Sequence, residues 1–244
     1  MYVLKRTDLI TIREKDSMQY MKGCNAVLTA ETVFSIPTDM SLAKQVTELT
    51  NLRKQGKIIV GLTIHHIYYK YFFTKEEYVR HMVTVLDMIT NEFDCNVLLI
   101  PMEANTGNYN DRHLAKEMKE KMQKPDMFTI IECDYEPSVT ASIIANCDMF
   151  IGTKTHSIVY ALKGEIPILC IAYQQKSNEF MDLYGVLENS IDLKDINKER
   201  VTKIFSRMYN HLDEIRKIQK EHNAIIRSKS LENKELLLKL LDNE

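Results

Sequence analysis

Between residues 57 and 185, short apolar runs alternate with segments whose apolar residues recur every three or four positions. The runs Lys57–Ile64, Asn96–Pro101, Met127–Glu132, Cys147–Ile151 and Ile166–Ala172 read as buried strands. Thr74 opens a helix to about Phe93, with Tyr78, Met82, Val85, Leu86 and Ile89 on one face. Further helices are predicted over Asp111–Met122, Pro137–Asn146 with proline in its first turn, Thr155–Lys163 closed by Gly164, and Ser177–Tyr184 closed by Gly185. Strand–helix alternation with right-handed crossovers predicts an α/β fold built on a Rossmann-like, doubly wound parallel sheet. Upstream, Leu9–Arg13 and Ala26–Thr29 read as short strands and Glu14–Lys22 as a helix stopped by Gly23. A polar helix or linker over Ser41–Gln55 marks a domain seam. After residue 193 the pattern is helical. One stripe carries Val201, Ile204, Phe205, Met208, Leu212, Ile215 and Ile218, and a separate last helix lies near Leu231–Leu241.

The composition narrows the class. The 244 residues are 45% hydrophobic and 27% charged, as in a soluble globular protein, and the net charge of −2 gives no basic surface for nucleic acid. The longest apolar stretch, Ile166–Tyr173, is far shorter than the ~20 residues of a membrane-spanning helix. The first residues, Met1–Asp8, contain no signal-peptide core. Cys24, Cys95, Cys133, Cys147 and Cys170 are odd in number and include no C-x-x-C pair. They read as reduced packing thiols in a cytoplasmic protein. Only 7 glycines occur, and none forms a G-x-G-x-x-G, a Walker A loop or a G-x-S-x-G elbow. A phosphate would have to be held by other means.

Ligands of open α/β sheets bind outside the carboxyl ends of the strands, so the residues just after each strand are the candidates. Gly152-Thr153-Lys154-Thr155-His156-Ser157 is the most polar such junction. Gly152 permits a tight turn. The amides of Thr155, His156 and Ser157 start a helix, where the dipole favours an anion. Lys154 adds a positive charge, and His156 exchanges protons near neutral pH. A solvated turn with capping threonines is the plain alternative. Tyr173 and Lys176 follow the next strand and bring a phenol and a second cation to the same edge. His65 and His66 follow the first long strand. Adjacent histidines rarely face one ion and no Cys/His spacing supports them, so no metal is expected. The aromatic run 68–73 suits a sugar contact or packing under a loop. The polar loop 102–112 is long enough to be a binding loop.

Several segments together resemble the polysaccharide pyruvyltransferase family. Ile12-Arg13-Glu14…Ser17 is similar to its R-(D/E)-x-x-S segment. Thr29–Phe34 is similar to its x-x-D-P-x-F segment, with Glu31 for Asp and Thr32 for Pro. Val60–Thr63 and Val97–Pro101 resemble the first strands of its C-terminal domain, and Asn110-Asp111-Arg112 resembles an N-D-x element. The longest match is Cys147–Ser157 followed by Ala161-Leu162, Ile166-Pro167 and Tyr173…Lys176. It resembles C-D-x-x-(I/V)-(G/S)-x-R-x-H-(A/S)…A-L…x-P…Y-x-x-K.

This resemblance implies one half of a B-type glycosyltransferase fold. It also implies transfer of a pyruvyl group from phosphoenolpyruvate to two sugar hydroxyls in cell-surface polysaccharide synthesis. No cofactor is implied beyond that donor. His156 would be the acid or base. Gly152, Thr153, Lys154, Thr155, Ser157, Tyr173 and Lys176 would hold the donor, and Arg13, His65, Asn110 and Asp111 are possible substrate contacts. The expected partners are a phosphorylated small molecule and a carbohydrate or lipid-linked glycan acceptor. Peripheral membrane association and a partner subunit or oligomer remain open. The chain departs from the family in Lys154, where arginine is usual, and in Met102, where histidine is usual. Expected domains are a remnant of an N-terminal α/β domain over 1–54, the donor-binding domain over 55–192 and C-terminal helices over 193–244. A nucleotide-sugar glycosyltransferase of the same fold, or a non-catalytic member needing a partner, are the competing functions.

Overall fold

The computed structural model describes residues 2–67, 74–103 and 110–242. The aromatic run 68–73 and residues 104–109 of the polar loop lie outside the described residues. The chain divides into two compact units, one formed by Met1–Pro37 with Glu221–Glu244 and the other by Thr38–Lys220.

The larger unit holds a parallel sheet of six strands: β3 (Ile59–Leu62), β4 (Asn96–Leu99), β5 (Phe128–Ile130), β6 (Met149–Gly152), β7 (Ile168–Ala172) and β8 (Ser190–Asp192). Their order is β5-β4-β3-β6-β7-β8. The chain leaves β3 toward one edge and returns at β6 toward the other. The carboxyl ends of β3 and β6 therefore flank the crevice of a doubly wound sheet. The register pairs Val60 with Met149 and Leu62 with Ile151. Every residue of β3, β4, β6 and β7 is buried, as expected for parallel strands covered on both faces.

The helices of this unit are α1 (Thr47–Lys54), α2 (Lys75–Glu92), α3 (Asp111–Lys121), α4 (Pro137–Ala145), α5 (Thr155–Lys163), α6 (Gln175–Leu183) and α7 (Lys198–Asn210). α2 begins with a capping box. Thr74 Oγ1 accepts from the Glu77 amide at 3.2 Å, and Glu77 Oε2 accepts from the Thr74 amide at 3.0 Å. Its predicted apolar face is buried, including Tyr78, Met82, Val85, Leu86 and Ile89. Asn110 caps α3 by accepting from the Arg112 amide at 2.9 Å.

Two local readings change. The predicted stripe of residues 201–218 is broken at His211, and α8 (Leu212–Leu241) is one helix of 30 residues instead of a separate last segment. The short strand β8 was not anticipated, because three residues with one buried side chain carry no readable period. As expected, Gly164 closes α5, in a right-handed conformation, and the left-handed residue is Glu165, at φ 59°. Gly164 lies where a Cβ would stand 3.0 Å from that of Ala145.

The smaller unit contains β1 (Ile10–Ile12) and β2 (Ala26–Leu28), paired in parallel, and the C-terminal part of α8. The segment expected as a helix over Glu14–Lys22 is a 3-10 helix, Lys15–Tyr20, that buries no residue. Without a buried face to pack, a segment of six residues gains too little to hold α-helical bonds. Ser230 and Asn233 of α8 tie down the chain after β2. Ser230 Oγ donates to the Glu31 carbonyl at 2.8 Å, and Asn233 Nδ2 donates to the Ala30 carbonyl at 3.0 Å.

Candidate functional site

Four strand ends of the larger unit meet at one place. Thr63, His65 and His66 follow β3, Glu103 follows β4, Thr153 and Lys154 follow β6, and Tyr173 and Gln174 follow β7. The first layer is a buried hydroxyl network. Thr63 Oγ1 lies 2.8 Å from Ser157 Oγ and accepts from the Thr153 amide at 3.2 Å, while Thr153 Oγ1 donates to the Thr63 carbonyl at 2.9 Å. Ser157 Oγ also hydrogen-bonds the Lys154 carbonyl at 2.7 Å. These bonds lock the first turn of α5 onto the end of β3. Thr153 and Ser157, expected to hold a ligand, thus use their hydroxyls on the scaffold.

Gly152 acts by close approach and not by a tight turn. It is the last residue of β6, and a Cβ there would fall 2.8 Å from Ile158 Cγ1 and 3.0 Å from Ile168 Cδ1. The missing side chain lets α5 pack down on the strand.

Above this layer sits a buried ion pair. Lys154 Nζ donates to Asp111 at 2.9 Å (Oδ2) and 3.1 Å (Oδ1). The side chains are 9% and 0% exposed. Asp111 Oδ2 also accepts from the Met102 amide at 2.8 Å and the Glu103 amide at 2.9 Å, and His66 Nε2 lies 3.3 Å from Oδ1. Burial by itself would raise the Asp111 pKa. The His66 contact, the Lys154 charge and the Glu103 amide outweigh it and hold the carboxyl below its ordinary range. Glu103 Oε2 reaches Lys154 Nζ at 3.3 Å from the solvent side, with its own side chain 41% exposed.

Potential ligand atoms of His66, Glu103 and Asp111 all lie within 4.8 Å of one another, a spacing a metal could use. Lys154 Nζ contacts both carboxylates, so its ammonium supplies the positive charge of this cluster.

His65 stands beside this cluster. Its ring meets the Tyr173 ring edge-on at a centroid distance of 4.9 Å. Burial first, then the Lys154 charge, pulls its pKa down to about 4, so His65 is neutral at physiological pH. Gln174 Nε2 donates to Thr155 Oγ1 at 2.8 Å, joining the β7 loop to α5. Lys176 lies 5.9 Å from the centre of the Phe180 ring. His156, in the first turn of α5, is exposed.

Arg13 belongs to the smaller unit, where it pairs with Glu31 and with Glu14. It lines an open polar cavity of about 340 Å³ with Thr11, Ser17, Thr29, Glu31 and Asn233. Both upstream segments that resemble the family therefore line one cavity.

The structure thus gathers His65, Asp111, Lys154 and Tyr173 at one sheet edge, while Asn110 serves as a helix cap. His66, Glu103 and Thr63 join the site without having been singled out as binding residues. His66 had its neighbour His65 as a signal. A lone acid in a polar loop and a threonine at the end of an apolar run carry none.

A family model described as polysaccharide pyruvyl transferase matches residues 1–175. The chain belongs to this family. Among curated relatives, the amylovoran biosynthesis protein AmsJ of Erwinia amylovora is 20% identical, over 96% of this chain and 58% of its own length. The chain thus spans little more than half of that relative. Among solved structures, a UDP-forming α,α-trehalose-phosphate synthase from Burkholderia xenovorans superposes with a TM-score of 0.62 at 14% identity, covering 98% of this chain and 62% of its own. UDP-GlcNAc 2-epimerase from Neisseria meningitidis gives 0.59 at 12% identity, covering 92% of this chain and 59% of its own. At such identities the likeness concerns the fold, that of the B-type glycosyltransferases. No helix among the described residues is long and apolar enough to cross a membrane.

Proposed function

We propose that the chain carries the donor site of a transferase that moves a pyruvyl group from phosphoenolpyruvate to two hydroxyls of a sugar in polysaccharide synthesis. The observation that carries the reading is the position of Lys154. It lies at the crevice between β3 and β6, at the N-cap of α5, within the stretch that resembles the family's signature. Lys154 offers no side-chain acceptor to the first amides of α5, which leaves the helix start suited to an anion.

The chemistry asks for three things. The methylene carbon of the enol phosphate takes a proton, and the neighbouring carbon is attacked by a sugar hydroxyl. Phosphate then leaves as the second hydroxyl closes the ketal. Of the two hydroxyl protons, one balances the new methyl group and the other leaves with the phosphate or to water. His156, exposed in the first turn of α5, is suited to carry protons in these steps. Lys154 and the α5 amides are suited to hold the donor's anionic groups and to stabilise the leaving phosphate. Neutral His65 and the Tyr173 phenol offer hydrogen bonds without adding charge.

Thermal-shift measurement with millimolar phosphoenolpyruvate tests the donor assignment, with His156→Ala and Lys154→Ala alongside. Stabilisation of the wild type that is lost in Lys154→Ala is expected; no stabilisation of the wild type counts against the reading. A second reading, a family member that does not turn over donor, draws support from the two carboxylates that already engage Lys154. Pyruvyl transfer to a pyranoside diol, followed by phosphate release, separates the two.

A further inference from the structure

Lys154 carries two carboxylates that differ in kind. Asp111 is fully buried and held by two backbone amides as well as by the lysine, so it is a fixed counter-charge. Glu103 has its amide pinned to Asp111, yet its carboxylate reaches Lys154 from the solvent side and is 41% exposed. The ammonium has three donors. The Asp111 oxygens and Glu103 Oε2 lie around it at 2.9, 3.1 and 3.3 Å.

An anion arriving at Lys154 must therefore meet Glu103. The two cannot share the remaining direction of one ammonium, and two like charges a few ångströms apart repel. Asp111 cannot yield, because its release would strand a buried cation. Glu103 can, because its carboxylate is rehydrated as it swings outward.

We propose that Glu103 occupies the position of the ligand's anionic group and that a phosphate-bearing ligand binds by exchanging with it. The exchange makes Glu103 a specificity residue. As a tethered carboxylate it competes at an effective concentration on the order of millimolar. A free monoanionic carboxylate gains nothing by replacing it. A dianionic phosphate does, because it brings more charge and more acceptor oxygens to Lys154 and to the α5 amides. The proposal rests on the donor-site reading for its place, but not on the identity of the reaction.

Calorimetric titration of the full chain with inorganic phosphate, phosphoenolpyruvate and acetate tests it, in wild type, Glu103→Gln and Glu103→Ala. Both variants are expected to bind phosphate and phosphoenolpyruvate at least fivefold more tightly than wild type, and to bind acetate relatively better. Far-ultraviolet circular dichroism checks that they fold. Binding of phosphate in both variants within twofold of wild type, or by none of the three proteins, overturns the proposal. Tighter phosphate binding without any pyruvyl transfer keeps the exchange and removes the assigned activity. Transfer by a Glu103→Gln enzyme with unchanged donor affinity does the reverse.

Discussion

Lys154 Nζ lies 2.9 Å from Asp111 Oδ2, and both side chains are buried although 43 residues of sequence separate them. The pair joins the loop after β6 to the start of α3, and with it the two halves of the doubly wound sheet at their point of divergence. A buried pair of this kind is a modest source of net stability but a costly one to break. Removing Asp111 leaves the buried ammonium with Glu103 alone and frees two amides. Asp111→Ala is expected to lose about 3–5 kcal/mol of stability. Chemical denaturation reads the loss, and a change below about 1 kcal/mol contradicts the assignment.

The same pair has a pH signature. The folded pKa of Asp111 lies below its unfolded value, so its stabilisation is fully present above the unfolded value, about 3.9, and is lost as pH falls through the folded one. Asp111→Asn is expected to flatten this acid limb. Denaturation midpoints from pH 5 to pH 2 in the two proteins compare it.

His65 acts in the same direction at higher pH, because a buried neutral base also resists taking up a proton. Its folded pKa of about 4 lies below the ordinary 6.5, so the unfolded chain takes up the proton first. Stability is expected to be flat above pH 6.5 and to fall as pH drops from 6.5 to about 4. The His65 ring proton resonances in NMR should titrate near pH 4. A midpoint at 6 or above rules out the buried neutral ring.

Gly152 is a packing residue. A methyl group there would stand 2.8 Å from Ile158 Cγ1, pushing α5 away from β6. Gly152→Ala is expected to cost about 1–3 kcal/mol, as overpacking usually does. A melting temperature equal to that of the wild type contradicts the close approach.

His156 is expected to separate stability from chemistry. It is exposed, so His156→Ala should leave stability within about 0.5 kcal/mol. If it moves protons in the proposed reaction, transfer should fall by roughly 10² to 10⁴-fold. Transfer at the wild-type rate moves that role elsewhere.

The cysteines divide by burial. Burial pushes the thiols of Cys95, Cys147 and Cys170 up to about 12, whereas Cys133 is exposed. Cys133 therefore departs from the expectation that the cysteines are packing thiols. A thiol reagent at neutral pH is expected to label Cys133 rapidly and to leave those three intact until the protein unfolds. Mass mapping of the labelled sites checks this.

Much of the larger unit could be read along the chain. Thr74 with Glu77 marks the start of α2, and Asn110 and Pro137 mark the starts of α3 and α4. Each signal is local: a side chain that accepts from amides two or three residues ahead, or a ring that presets φ. The failures share the opposite property. Lys15–Tyr20 needed a packing partner to become α-helical, and β8 exists because β7 offers it an edge to pair with.

The site divides in the same way. The order of strands and helices, and the polar stretch Gly152–Ser157 after a buried strand, follow from periodicity and from the rule that ligands bind beyond strand ends. Which of those residues face one another is a different matter. The parallel crossovers bring Glu103, Asp111 and His66 to Lys154. Their pairing balances the charge that the sequence places at Lys154, because a buried ammonium is tolerated only where opposite charge is within contact distance. Residue types and spacing determined that this edge is polar and cationic at Lys154. Only the tertiary structure decided that the charge is already balanced, since electrostatic energy depends on distance in space and not on separation along the chain.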